Sequence, residues 1–223
     1  MKTIVYVDGY NLYYSLLRKS QYKWLDLFTL FSKILNEQNP KTDLQLVKYF
    51  TSPAKAKFAT NGSQAPISQN KYHRALLSPR TGNVEIIEGF HTESRATPMR
   101  YTNPPNKEDR VHTWKLEEKQ TDVNIALNLY RDSSKNLCEQ VVVCSADTDI
   151  APALKLIKED FPHIKMGAIF PLQKTDDERH PIVEIAAQTH WSRSYILEEE
   201  LANSQFKNRV PTDKKPVDKP DYW

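Results

Sequence analysis

Residues 1–200 predict an α/β fold: a three-layer α/β/α sandwich around a mainly parallel sheet. Short runs rich in β-branched and apolar residues recur along the chain, at 3–7, 44–50, 84–87, 141–144 and 165–170. Stretches with apolar residues at helical spacing separate them, and strand–helix alternation is the mark of parallel βαβ units. Runs such as Val141-Val142-Val143-Cys144 are apolar without a break, as expected of strands covered on both faces.

The first strand, residues 3–7, ends in the turn Asp8-Gly9-Tyr10-Asn11, and a helix follows through Leu12, Leu16 and Leu17. A second helix fits residues 25–35, with Leu27, Phe28, Phe31, Ile34 and Leu35 on one side, and Asn39-Pro40 ends it. After the strand at 44–50, residues 54–68 carry Lys55, Lys57 and Phe58 and read as a loop. Residues 69–77 read as a helix. Residues 91–110 hold three prolines and no clear period, which suggests an insertion or hairpin near the site. A helix is expected over 114–131. Another is expected over 148–159, with Pro152 in its first turn. Past the strand at 165–170 come a charged loop at 173–180, a short helix at 183–187, an extended link at 190–195 and a helical turn or two at 198–204. The tail 211–223, with three prolines and alternating charge, is expected to lie extended on the surface or to be disordered. The domain reading is residues 1–200, with an irregular insertion about 91–113, and an extension over 201–223.

Composition narrows the class. Of the 223 residues 39% are apolar and 26% charged, and the formal charge of +3 permits nucleic-acid binding without demanding it. No run approaches a membrane span, and the chain opens on a strand, so no signal peptide and a cytoplasmic location are expected. Cys138 and Cys144 read as reduced, buried side chains. With five glycines there is no Gly-rich phosphate loop, and no Gly-x-Ser-x-Gly elbow is present. The six histidines have no zinc-site spacing, and His73 reads as a solvated helix position.

The acids carry the functional signal. Asp8, Asp147 and Asp149 follow two apolar runs, and ligands bind beyond the carboxyl ends of strands in such sheets. Each alone is an ordinary turn or cap residue. Asp122 lies in a helical pattern on the side of Ile125, Ala126 and Leu129, where an unpaired carboxylate is costly. Lys119, one turn earlier, is the simple ion-pair alternative. Several carboxylates at one sheet edge repel one another, and a hard divalent cation such as Mg²⁺ removes that repulsion.

Ile4-Val5-Tyr6-Val7-Asp8-Gly9-Tyr10-Asn11, Glu118-Lys119-Gln120-Thr121-Asp122-Val123 and Ser145-Ala146-Asp147-Thr148-Asp149 together resemble the three motifs of NYN-domain proteins, the LabA/DUF88 group of the PIN-like nuclease superfamily. The resemblance spans roughly residues 1–200. It implies a PIN-like fold and an Mg²⁺- or Mn²⁺-dependent nuclease, most often acting on RNA. It puts metal ligands at Asp8, Asp122, Asp147 and Asp149, with Asn11 and Ser145 orienting ligands or water. Ala146 stands where the pattern usually has Gly, which matters if that turn needs φ > 0.

Lys55, Lys57, Lys71, Arg74, Arg95 and Arg100 fall in segments expected around the strand ends, with Phe58, Tyr72 and Tyr101 among them. Such residues grip phosphates and stack on unpaired bases. The functional expectation is therefore a metal-dependent endoribonuclease whose partner is single-stranded or structured RNA. A catalytically weak RNA-binding or regulatory module is the alternative. No membrane partner is expected, and a homo-oligomer is allowed.

Overall fold

A computed structural model of the chain describes residues 1–174 and 183–223. The central sheet contains β1 (Lys2–Asp8), β2 (Asp43–Thr51), β3 (Val84–Glu88), β6 (Gln140–Cys144), β7 (Lys165–Ile169) and β8 (Trp191–Arg193). Their spatial order is β3-β2-β1-β6-β7-β8 and every neighbouring pair is parallel. Numbered by sequence within this sheet, that is the doubly wound order 3-2-1-4-5-6. Its direction of winding reverses between β1 and β6, where such sheets open a crevice at the strand ends.

The burial pattern explains the layers. Val5, Val7, Val142 and Cys144 belong to one apolar cluster with Trp24, Phe31, Leu35 and Leu76. These helical residues come from or beside α2 (Leu27–Gln38) and α3 (Gln64–Leu76). Ile4, Tyr6, Val141 and Val143 belong to the other, with Ile125 and Leu129 of α4 (Thr121–Ser134) and Leu154 and Ile157 of α5 (Ala151–Asp160). Alternate side chains of one strand thus enter opposite cores, which is why these runs are apolar without a break. The predicted three-layer sandwich is observed. Among the described residues no helix is long and apolar enough to cross a membrane.

Three expectations are corrected. The helix expected from residue 114 starts only at Thr121, because Thr113–Lys119 is a strand, β5, paired antiparallel with β4 (Phe90–Ala96). Lys115, Glu117 and Lys119 share one face of it, with contacts of 2.5 and 3.4 Å to Glu117. That spacing of two brings side chains together in a strand and not in a helix. Gln120, at φ 77, turns the chain between β5 and α4.

The tail is neither loose nor purely superficial. β9 (Arg209–Val210) pairs with β10 (Val217–Asp218), and Val210 and Val217 are buried. The Trp223 ring lies 5.5 Å from Tyr72 and 6.1 Å from Trp24. Apolar residues spaced among prolines and charges leave no periodic signal to read. His73, expected in solvent, packs edge-on to Tyr49, and burial pushes it down to about 4. It is therefore neutral at pH 7, and its 3.5 Å approach to Glu88 is not an ion pair there.

Cys138 and Cys144 are buried free thiols, as expected.

Candidate active site

β1 delivers Asp8 at its last position, on the same face as Ile4 and Tyr6 and so toward α4. Its carboxylate is buried and well partnered. Oδ1 accepts from the Asn11 N–H at 2.9 Å, and Oδ2 accepts from the Ser145 hydroxyl at 2.9 Å. The first of these bonds also caps α1 (Gly9–Leu12), which runs on as a wider helical turn over Tyr13–Leu17. The Asn11 side chain in turn accepts from the Ala146 N–H at 3.0 Å, so the ends of β1 and β6 are tied together. Asn11 and Ser145 thus hold the frame around Asp8. Among the described non-glycine residues positive φ occurs at Gln120 and Asn136 and not at Ala146, so that turn accepts alanine without strain.

Ser145 Oγ accepts from the Asp147 N–H, and Asp147 Oδ1 accepts from the Asp149 N–H, both at 3.0 Å. Asp122 enters from the first turn of α4. One carboxylate oxygen from each of Asp8, Asp122 and Asp147 lies within 4.8 Å of the others, close enough to share one cation or one proton-donating ligand. The convergence of three sequence-distant acids is as expected. Asp149 departs from expectation: it is exposed and outside this trio, although its charge still acts on Asp122, and its N–H holds Asp147. The Lys119 alternative also fails, since Lys119 pairs with Glu117.

Sequence reasoning passed over Glu118. It ends the hairpin arm, its Oε1 accepts from the Ser52 hydroxyl at 2.8 Å, and it interacts electrostatically with Asp122 and Asp8. Read as part of a helix, it stood one turn before Asp122 with no reason to turn inward. Across the arm from it, His91 bonds the Tyr10 hydroxyl through Nε2 at 2.5 Å and the Pro53 carbonyl through Nδ1 at 3.1 Å. The carbonyl can only accept, so Nδ1 carries the proton and Nε2 accepts from Tyr10.

Burial raises the Asp8, Glu118 and Asp122 carboxyls. For Asp122 the charges of Asp147, Asp8 and Asp149 add to it, pushing the group up to about 6. It therefore holds its proton more tightly folded than unfolded. Below pH about 4 it is protonated in both states and costs nothing; the cost grows as pH rises and is complete above about 6. Discounted for solvent screening, that cost is about 1–2 kcal/mol. Asp122→Asn should thus melt higher than wild type at pH 8 and alike at pH 4, as calorimetry would read. Equal melting at both values would remove the repulsion.

Several of the basic residues have partners of their own. Lys57 pairs with Glu93 at 3.2 Å and lies 3.5 Å from the centre of the Trp114 ring, which Phe58 meets edge-on. Arg95 stands opposite Trp114 on the arm, exposed. Arg100 pairs with Asp109, and Arg74 donates to the Lys215 carbonyl in the tail. Lys55 is exposed near His91, and Lys71 is half-buried on α3. Tyr101 is 96% exposed, whereas Tyr72 is buried with its hydroxyl on the Leu25 carbonyl and cannot stack on a base.

No family model matches the sequence. A solved structure of a protein of unknown function from Vibrio parahaemolyticus aligns with a TM-score of 0.48 and 15% identity, covering 86% of this chain and 91% of that one. The 6-hydroxy-3-succinoylpyridine 3-monooxygenase HspA of Pseudomonas putida is 34% identical over 241 aligned residues, spanning 100% of this chain and 75% of that protein. This relative overturns the expected endoribonuclease and its hydrolase chemistry. It overturns Mg²⁺ or Mn²⁺ as a hydrolytic cofactor for a physical reason. An ion that polarises a phosphoryl group and activates water does not supply the two electrons that monooxygenation needs. Clustered carboxylates accept protons as readily as cations, so their presence alone did not separate the two chemistries. Matched along its whole length at this identity, the chain belongs to the family of 6-hydroxy-3-succinoylpyridine 3-monooxygenase.

Proposed function

We propose that this chain is a cytoplasmic monooxygenase acting on a hydroxylated pyridine at the acidic crevice between β1 and β6. The observation that carries the reading is the 34% identity, over the full chain, to a protein named for that reaction on 6-hydroxy-3-succinoylpyridine. The site's chemistry supports it. A 6-hydroxypyridine offers an O–H or, as its pyridone tautomer, a ring N–H, and ionised carboxylates accept such donors. Asp122, near 6, is ionised at pH 7 and close enough to neutrality to take and return a proton. Removing the hydroxyl proton enriches the ring in electrons. One oxygen atom of O₂ then forms the new C–O bond at ring carbon 3, and the bond from that carbon to the acyl group breaks, the acyl group taking up water and leaving as its carboxylic acid. The other oxygen atom leaves as water, with two electrons and two protons drawn from a reductant of the nicotinamide or flavin class. Asp8 and Asp147 orient the ring, and Ser145 and Asn11 hold those acids.

A flavin dinucleotide does not fit this crevice. Its diphosphate would meet the carboxylates of Asp8 and Asp147. Gly9 is not free to cradle it either, because a Cβ there would fall 2.5 Å from the Phe50 carbonyl oxygen. Gly9 serves the close packing of α1 on β2.

The test is incubation with 6-hydroxy-3-succinoylpyridine, a reduced nicotinamide or flavin, and ¹⁸O₂, followed by mass spectrometry. A pyridine product carrying one ¹⁸O supports the reading. Unlabelled or absent product with either reductant contradicts it.

A further inference from the structure

We infer that the outer side of α4 is the surface on which two copies of this chain pair, as an antiparallel two-fold dimer. α4 covers the sheet with Ile125 and Leu129, both fully buried. The opposite side of such a helix normally meets water and carries charge. On α4 it is apolar instead. Val123 is 60% exposed, Leu127 62% and Tyr130 37%, and none of the eight residues from Val123 to Tyr130 is charged. Leu156 of α5, the helix packed beside α4, is half-exposed as well. A helix that is apolar all round is one buried all round, so the outer side of α4 calls for a partner.

The spacing identifies that partner. Val123, Leu127, Tyr130 and Ser134 are all exposed and stand four, three and four positions apart, the spacing of a seam along which two helices pack. These steps read the same in both directions. A two-fold axis level with the middle of the seam therefore sets each seam residue against another: Leu127 against the partner's Tyr130, and Val123 against the partner's Ser134. The large pair lies at the centre and the small pair at the ends. The Tyr130 side chain is already held in place. Its hydroxyl donates to the Asp160 carboxylate at 2.8 Å, and its ring meets Phe161 edge-on with centres 5.2 Å apart. Little side-chain freedom is left to lose on association. Among the described residues, charge favours the same direction. The first turn of α4 holds Asp122, on which the charge of Asp149 acts, and its end holds Arg131 and the exposed Lys135. Antiparallel pairing brings each acidic end level with the partner's basic end, whereas parallel pairing sets like charges together. At about 100° per residue, Asp122 is turned away from the Val123 side of the helix, so pairing leaves the acidic crevice open.

The pairing needs neither substrate nor reductant, so it is measured apart from turnover. The first experiment is sedimentation velocity of the full chain at micromolar concentration. Wild type is expected to sediment as a dimer. Leu127→Arg is expected to sediment as a monomer with an unchanged far-ultraviolet circular dichroism spectrum, because its position is exposed and outside the core. Leu77→Arg, equally exposed but at the end of α3 on the other face of the sheet, should remain a dimer. The second experiment fixes the direction. Val123→Cys and Ser134→Cys are oxidised separately and as a mixture, the native thiols of Cys138 and Cys144 being buried. The mixture should give a disulfide-linked pair of the two variants. Neither variant should link to itself, because like positions then lie about 16 Å apart along the axis at about 1.5 Å per residue. A monomeric wild type, a dimeric Leu127→Arg, a monomeric Leu77→Arg or the absence of the mixed disulfide overturns the assignment. Self-linked single variants also overturn it, by making the pair parallel.

Discussion

Replacing Asp132 with alanine is expected to lower stability by about 3–5 kcal/mol, the usual cost of stripping one partner from a buried ion pair. Asp132, on α4, is fully buried; it lies 2.5 Å from the Lys48 ammonium and accepts from the Tyr6 hydroxyl at 2.9 Å. Lys48 also donates to Asn128 at 3.0 Å and lies 3.7 Å from Glu85. Without Asp132, a strand-borne ammonium 3% exposed keeps only a neutral amide and one more distant, half-exposed carboxylate. Replacing both partners, as Lys48→Met with Asp132→Leu, should restore much of the loss, because neither charge then needs burying. Urea unfolding of the three variants measures this. A cost below about 1 kcal/mol for Asp132→Ala would mean water reaches the pair. The network also bears on the site, since α4 presents Asp122 at its first turn and is tied to β1 and β2 through Asp132 near its end.

The sheet was legible because its strands are buried on both faces and carry unbroken apolar runs. The site was legible in part for a related reason: Asp8 and Asp147 stand at or just beyond strand ends, where polarity contrasts with the run before. Glu118 is hidden when the charged segment 114–119 is taken into the helix that follows, although Trp114 and Leu116 alternate with Lys115 and Glu117 as they do in a strand. Gln120 in a left-handed conformation gave no warning, as a glycine there would have. Lys48 stands within an apolar run, and its partner Asp132 lies 84 positions away in the chain. The chemistry was misread for another reason. Carboxylate geometry suits both a cation and a proton, and only the full-length relative distinguishes them.

Asp122→Asn should reduce turnover of 6-hydroxy-3-succinoylpyridine by about 10²–10⁴-fold, the range for removing a positioned general base. Asparagine keeps the shape and cannot accept the proton. The group is active when ionised, so wild-type kcat/KM should climb as pH rises through about 6 and then level off. The variant should be low and flat across the same range. Asp218→Asn, on the exposed tail strand, should follow wild type. The decisive measurement is this pair of pH profiles, taken from pH 5 to 8 by oxygen consumption with saturating reductant. An acid limb near 6 in the wild type that vanishes in Asp122→Asn is the result predicted. Equal rates in the two proteins, or the same limb in both, would contradict the assignment of the chemistry to Asp122 and its acidic crevice.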